Sequence, residues 1–337
     1  MKRLICLLLC FVLMLGTTAC SANRSPELHN TYSYALELED YVVIQNMFRQ
    51  PLMIDKVTWA CEVYYYDPIE ALDGTKSFIR YAKDGANRVA ITQGLGFYDI
   101  YTIDLDNFYA DTDQGLHNGS YSSYLGAEGL FPELSYGAAL DQRATSICGM
   151  FAYGNGYLLV RNSGVFTLEG GRKSKEVCIY DEDPVSNANV AFDGRWVYYT
   201  LEDYTLVRLD VTTRERTVLA KLVTDYRLTS QGIVAVIDSD LLLLDDQGKI
   251  ATRLAQDAYA VGGGTEEYVY YCKENDSTLA RVKWDGTDPH VIPLEGYFHS
   301  LGILKDPARL LYYGKDGTYH LCNYDGEEDM ALSLPEA

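Results

Sequence analysis

Positive charge is scarce in this 337-residue chain: 28 Lys and Arg stand against 48 Asp and Glu, a formal net charge of −20. The shortage argues against a grip on nucleic-acid phosphates, which needs clustered cations to displace counterions. It argues equally against an electrostatic hold on anionic lipid. Long apolar runs are missing beyond Leu15, so no later segment reads as a spanning helix. Histidine is sparse: His29, His117, His290, His299 and His320 share no ligand spacing. No G-x-S-x-G elbow, H-E-x-x-H pair, P-loop or dinucleotide fingerprint occurs. The sequence therefore carries no signature of catalysis, metal or cofactor, and it reads as a binding protein rather than an enzyme. What is present in quantity is hydrophobic residues, at 47%, enough for a packed core and too many for a disordered tail.

The first twenty residues read as an address. Lys2 and Arg3 form a positive start, Leu4 to Leu15 an apolar stretch too short to span a bilayer, and Thr17-Thr18-Ala19 a run of small residues before Cys20. Small residues followed by cysteine resemble the bacterial lipobox. That resemblance implies cleavage between Ala19 and Cys20, acyl chains on Cys20, and residence on the outer face of a bacterial cell membrane. Residues 1–19 are then the signal peptide and 20–30 a lipidated cysteine with a polar tether. Several acyl chains on one residue give the double signal that stable anchoring needs. The other cysteines past the leader, Cys61, Cys148, Cys178, Cys272 and Cys322, each lie in an apolar strand-like run without a metal spacing, as small buried hydrophobes do.

From about residue 145 a repeat governs the chain. Apolar-aromatic runs begin at Tyr157 (YLLV), Val197 (VYYT), Val234 (VAVI), Val269 (VYYC) and Leu311 (LYYG), at intervals of 35 to 42 residues. Shorter runs follow four of them, such as TLVRLD and TLARVKWDG, and then a third run such as TVLAKL. Asp285-Gly286 and Asp325-Gly326 stand where second and third strands must reverse, a pair that accepts the positive backbone angles of tight turns. A unit with three visible strands and room for a fourth is the size of a propeller blade. Neighbouring blades bury the two faces that one sheet leaves open.

Val269-Tyr270-Tyr271-Cys272 with Arg281 and Trp284-Asp285-Gly286, and Val197-Tyr198-Tyr199-Thr200 with Arg208, resemble a YWTD-type propeller repeat. Tyr312-Tyr313 with Asp325-Gly326 is a looser copy. Leu201 and Lys273 replace the aspartate of that pattern. The resemblance, shared with bacterial lipoproteins, implies a mainly β fold: a β-propeller of about five four-stranded blades over 145–337, and an extracytoplasmic setting.

Residues 31–143 keep strand character but lose the period. Thr58–Tyr66, Phe78–Ala82, Arg88–Thr92, Tyr98–Leu105 and Phe108–Asp111 read as an antiparallel meander, and a Gly/Ser/Tyr-rich stretch after Asp113 offers no further strand. Seven blades then fail for want of strands. Two readings remain: one N-terminal blade completing a six-blade ring around a long insertion, or a separate, smaller antiparallel α+β domain. The abrupt loss of period favours the second, with Tyr34–Arg49 as a helix on a curved sheet and Ser122–Leu140 as an irregular one.

The acids Asp104, Asp106, Asp111 and Asp113 fail the calcium-loop template and read as turn residues. Gly262-Gly263-Gly264 precedes a strand rather than a helix and so makes no phosphate cradle. Tyrosine is abundant, 29 against 10 Phe and 3 Trp. Inside repeat runs these rings read as packing between blades; exposed, they would suit a protein, peptide or glycan. The expected function is a lipid-anchored extracytoplasmic binding or scaffold module. The alternatives are a carrier of a hydrophobic or cell-wall ligand within 31–143, and a propeller hydrolase.

Overall fold

A computed structural model describes residues 29–30, 35–44, 52–63, 80–93, 99–106, 108–111, 115–118, 121–125, 147–168 and 176–333. Among them there is no helix. Apart from a short hairpin, Phe108–Asp111 with Gly115–Asn118, the strands form seven sheets in chain order: 35–63, 80–125, 147–180, 185–220, 223–255, 258–291 and 296–331. Six have four strands, and the fourth in order has five because His29–Asn30 joins it. In each of the seven blades the four blade strands run outward in chain order, antiparallel, and in the fourth His29–Asn30 is added on the channel side of the first of them. Innermost strands touch their neighbours all the way round, and Gly296–Lys305 of blade 7 lies against Ala35–Glu37 of blade 1. The ring is closed.

Period-two alternation explains why these sequences make blades. Val197 and Tyr199 pack toward blade 3 while Tyr198, between them, packs toward blade 5. Val269 and Tyr271 likewise face blade 5, and Tyr270 faces blade 7. A strand buried on both faces must be apolar at nearly every position, which is what the VYY runs are. Six of the seven junctions between blades hold a buried cluster among the described residues. In blade 7 the register is one residue away from the one the repeat predicts. Leu310 and Tyr312 face blade 6 and Leu311 faces blade 1, so Leu310 rather than Leu311 matches Val269.

The N-terminal region departs from expectation. The described part of 31–143 forms neither a separate α+β domain nor the single blade of a six-blade ring, but two blades of a seven-blade ring. The predicted helix over 34–49 is, where described, the strand pair Ala35–Glu37 and Tyr41–Ile44. Leu36 and Leu38 are both buried, an alternation that a helix would not give. Residues 35–63 make blade 1, and 80–125 make blade 2. The outermost strand of blade 2 is Tyr121–Leu125, inside the stretch expected to lack strands; it pairs with Asp99–Asp104 across the 108–118 hairpin. The remainder of the predicted 122–140 segment, and the signal peptide with Ala19 and Cys20, lie outside the described residues.

Blade 1 comes wholly from the start of the ring and blade 7 wholly from its end, so no shared sheet fastens them. Side chains do so instead. Val42, Ile44, Ile54 and Cys61 pack on Leu304, Leu311, Leu321 and Leu332. The Glu37 carboxylate accepts the backbone N–H of Lys305 (2.9 Å) and of Asp306 (3.0 Å), and the Lys56 ammonium at 3.2 Å.

Candidate functional site

All innermost strands end on one face, which carries the turns from first to second strand and from third to outermost strand. On this turn face the channel opens into a cavity of about 740 Å³. Its wall is built from the ends of innermost strands: Ala35 to Glu39 of blade 1, Arg227 to Ser230 of blade 5, Gly262 to Gly264 of blade 6, and Leu301, Ile303, Lys305 and Asp306 of blade 7. Lys83, at the end of the innermost strand of blade 2, and the turn residues Lys56 and Ala86 of blades 1 and 2 complete it.

The charged groups deepest in this wall are bonded into the frame. Asp225 and Arg227 are both buried, two positions apart on one face of a strand, with Arg227 Nη1 donating to Asp225 Oδ1 at 2.8 Å. Asp225 Oδ2 accepts the Val261 N–H of blade 6 at 2.7 Å. Arg227 also donates to the Tyr226 carbonyl (2.8 Å), and its Nη2 reaches the His299 carbonyl of blade 7 at 3.5 Å. One buried ion pair thus connects three blades. Burial holds the His299 imidazole below its ordinary value, and the nearby Asp225 carboxylate opposes that shift. Lys56 donates to the Leu38 and Glu39 carbonyls as well as to Glu37. The rim is different: Glu39, Lys305 and Asp306 are exposed and of both signs.

The three consecutive glycines have a packing reason. A Cβ on Gly262 would come to 3.0 Å from Leu301 Cδ2, on Gly263 to 2.9 Å from Ile303 Cδ1, and on Gly264 to 2.7 Å from the Trp284 ring. They let blade 6 close against blade 7 and against its own Trp284.

The residues that define the repeat do not gather at this cavity. They are spread over blades 4, 6 and 7. Tyr198 lies across from Arg208, and Tyr270 across from Arg281. The Arg208 guanidinium lies 4.3 Å over the Trp196 ring, and Arg281 lies 4.3 Å over Tyr268. Two of them are brought together across blades: Arg281 donates to the Asp325 carboxylate and, at 3.2 Å, to the Tyr324 carbonyl. Asp285 accepts the Thr287 N–H in its turn (2.9 Å), and Gly286 and Gly326 have φ of +82° and +81°. Val269 and Tyr271 are core. Tyr313 is half-buried with its ring 5.1 Å from that of Tyr319, and the Tyr312 hydroxyl donates to Asp329 at 2.8 Å. His320 stands between Asp316 (3.1 Å) and Asp329 (3.2 Å) under the Tyr312 ring, bracing the last strand.

The cavity residues Glu37, Arg227 and Lys305, and Asp225 that pairs with Arg227, were not singled out by sequence. One signal for them existed: Asp225-Tyr226-Arg227 puts opposite charges two positions apart on one face of a strand.

No protein-family model and no curated protein matches the chain. Solved structures do match. YCF48 from Cyanidioschyzon merolae superposes with a TM-score of 0.56 at 12% identity, over 88% of this chain and 98% of that one. YCF48 bound to a D1 peptide gives 0.55 at 11%, over 85% and 92%. A structure from a mechanistic study of two prolyl endopeptidases gives 0.54 at 12%, over 90% of this chain and 50% of that one. The chain is a β-propeller. At such identities the likeness carries the architecture and none of the chemistry. In this propeller the channel mouth on the turn face is a concave site lined by both polar and apolar groups, which makes it the candidate site.

Proposed function

We propose that this β-propeller is a lipid-anchored extracytoplasmic binding protein that holds a peptide or protein segment at its channel mouth. The observation that supports this most is the cavity of about 740 Å³, walled by strand ends from blades 1, 5, 6 and 7 whose buried charges are already paired. A fixed wall recognises shape and backbone without reorganising. Half-buried Ala35 and Ile303 beside rim charges of both signs suit a peptide. Among the described lining residues there is no aromatic ring on which a sugar would stack. One YCF48 structure of similar fold is of that protein bound to a D1 peptide.

The anchor follows from Cys20 in its lipobox-like setting. His29–Asn30 runs antiparallel to Val185–Phe192 with His29 at the turn-face end, so the strand enters the channel from that face. His29 stands nine positions after Cys20, at most about 30 Å of extended chain. A lipid on Cys20 would therefore hold the cavity mouth facing the bilayer at close range.

Two experiments test the proposal. Cys20→Ala is expected to move the protein from the membrane to the soluble fraction, and persistent membrane association of that variant would sink the anchor. A photo-crosslinking amino acid at Ser230, on the cavity wall, is expected to capture a defined peptide-bearing partner in cells. The same group at Met330, on the outer edge of blade 7, should not. Equal capture from both positions would remove the cavity as the site.

A further inference from the structure

Blade 4 differs from the other six. On the channel side of its innermost strand, Val185–Phe192, lies an added strand, His29–Asn30. His29 is opposite Phe192 and Asn30 opposite Ala191, antiparallel, and the segment also rests against Val223–Thr229 of blade 5. The fold thus demonstrates in its own chain that this channel edge accepts an antiparallel strand. The added strand pairs with two of the eight residues of Val185–Phe192. The cavity wall, formed by blades 1, 2, 5, 6 and 7, includes blade 5, against which the added strand rests.

We infer that the channel edge of Val185–Phe192 is the docking strand for an extended peptide, which adds to it antiparallel while its flanking residues fill the cavity, and that His29–Asn30 occupies the edge as an internal competitor. The inference rests on the peptide reading above and names how the peptide is held. Strand addition draws affinity from main-chain hydrogen bonds and tolerates varied side chains. This accounts for a wall whose buried charges face inward to the frame and whose exposed charges are of both signs. A two-residue ladder is a weak hold, because the bonds it makes barely offset the ordering of the residues that make them. A longer strand, pairing also with Val190 and reaching the register break between Val185 and Val190, displaces it. The competitor enters from the same face as the cavity mouth, so a ligand and the tail contend for one entrance.

The test uses the full-length mature chain carrying Cys20→Ala, with and without His29→Pro and Asn30→Pro, which remove the backbone N–H groups of the added strand. The probe is a synthetic, fluorescein-labelled peptide copying residues 24–33, read by fluorescence anisotropy, with the same peptide bearing proline at the positions of His29 and Asn30 as control. The peptide is expected to bind the double-proline protein at least tenfold more tightly than the parent, and the proline peptide to bind neither. Circular dichroism and urea midpoints that agree between the two proteins show that the fold is kept. Equal affinity for both proteins, no binding to either, or binding of the proline peptide overturns the inference. Capture from Ser230 in cells does not depend on the tail. A partner caught there while the peptide binds neither protein removes strand addition and leaves the channel-mouth proposal standing.

Discussion

Arg227→Met tests the connection among blades 5, 6 and 7 with the largest expected effect. Arg227 and Asp225 are 4% and 8% exposed, and methionine fills much of the arginine stem's volume while removing its charge. Asp225 would keep the Val261 N–H as a donor and lose its cation. Breaking a buried ion pair from one side costs about 3–5 kcal/mol, because a desolvated charge is left behind. The pair stands at a cavity wall rather than in the deepest interior, so the lower end, about 3 kcal/mol, is expected. That is a substantial part of the ~5–15 kcal/mol that stabilises a typical domain. The double variant Asp225→Leu/Arg227→Met strands no charge and is expected to recover part of the loss. It does not recover all, since the Val261 N–H loses its acceptor at about 1–3 kcal/mol. Urea unfolding of parent, single and double variants measures both. A single variant within 1 kcal/mol of the parent, or a double variant less stable than the single, would refute the reasoning.

The remaining expectations concern thiols and acid. Burial pushes the Cys61 thiol up to about 11, and those of Cys272 and Cys322 up to about 12, while Cys178 is exposed. With the mature Cys20→Ala chain at pH 8, an aromatic disulfide reagent should titrate one thiol quickly and the other four only after unfolding; three or more fast thiols would contradict the packing. Asp55 is held below the usual carboxylate value first by the Thr58 N–H, Asp285 by the Thr287 hydroxyl, and Asp316 by the Thr318 N–H. A depressed folded pKa gives stability that is present above the unfolded value and lost as pH falls through the folded one. Melting temperatures should therefore drop below about pH 4. A melting temperature still climbing from pH 4 to pH 3 would count against these turn contacts.

The C-terminal blades were legible because each needs a strand buried on both faces, and runs such as Val269-Tyr270-Tyr271-Cys272 have few other uses. Asp285-Gly286 and Asp325-Gly326 do form tight reversals, but between the third and outermost strands of their blades, because the innermost strand is the one the repeat pattern did not show. Blades 1 and 2 were hidden for two physical reasons. Ala35–Glu37 and Cys61–Val63 are strands of three residues, too short for a period to show, and Ala-Leu-Glu-Leu-Glu is composed of helix formers that sheet pairing overrides. In blade 2 a hairpin at 108–118 separates the third strand from the outermost, so the spacing that defines the repeat is broken while the sheet is not. The slip in blade 7 has the same origin: Leu310-Leu311-Tyr312-Tyr313 is apolar throughout, and only contacts with neighbouring blades decide which residue faces which side. The cavity was illegible because its residues come from five blades and are ordinary one by one.

The central claim is a ring closed between residues near 35 and residues near 302, and a double-mutant cycle tests it directly. A Cβ on Gly302 would lie 2.8 Å from the Ala35 Cβ and 3.2 Å from the Leu311 Cβ. Gly302→Ala is therefore expected to lose about 1–3 kcal/mol by overpacking. Ala35→Gly alone should lose about 0.5–1 kcal/mol. Together the two changes should be less damaging than their sum by at least about 1 kcal/mol, the mark of residues in contact. Effects that add to within about 0.5 kcal/mol would mean that blades 1 and 7 do not meet, and the closed seven-bladed account would be wrong.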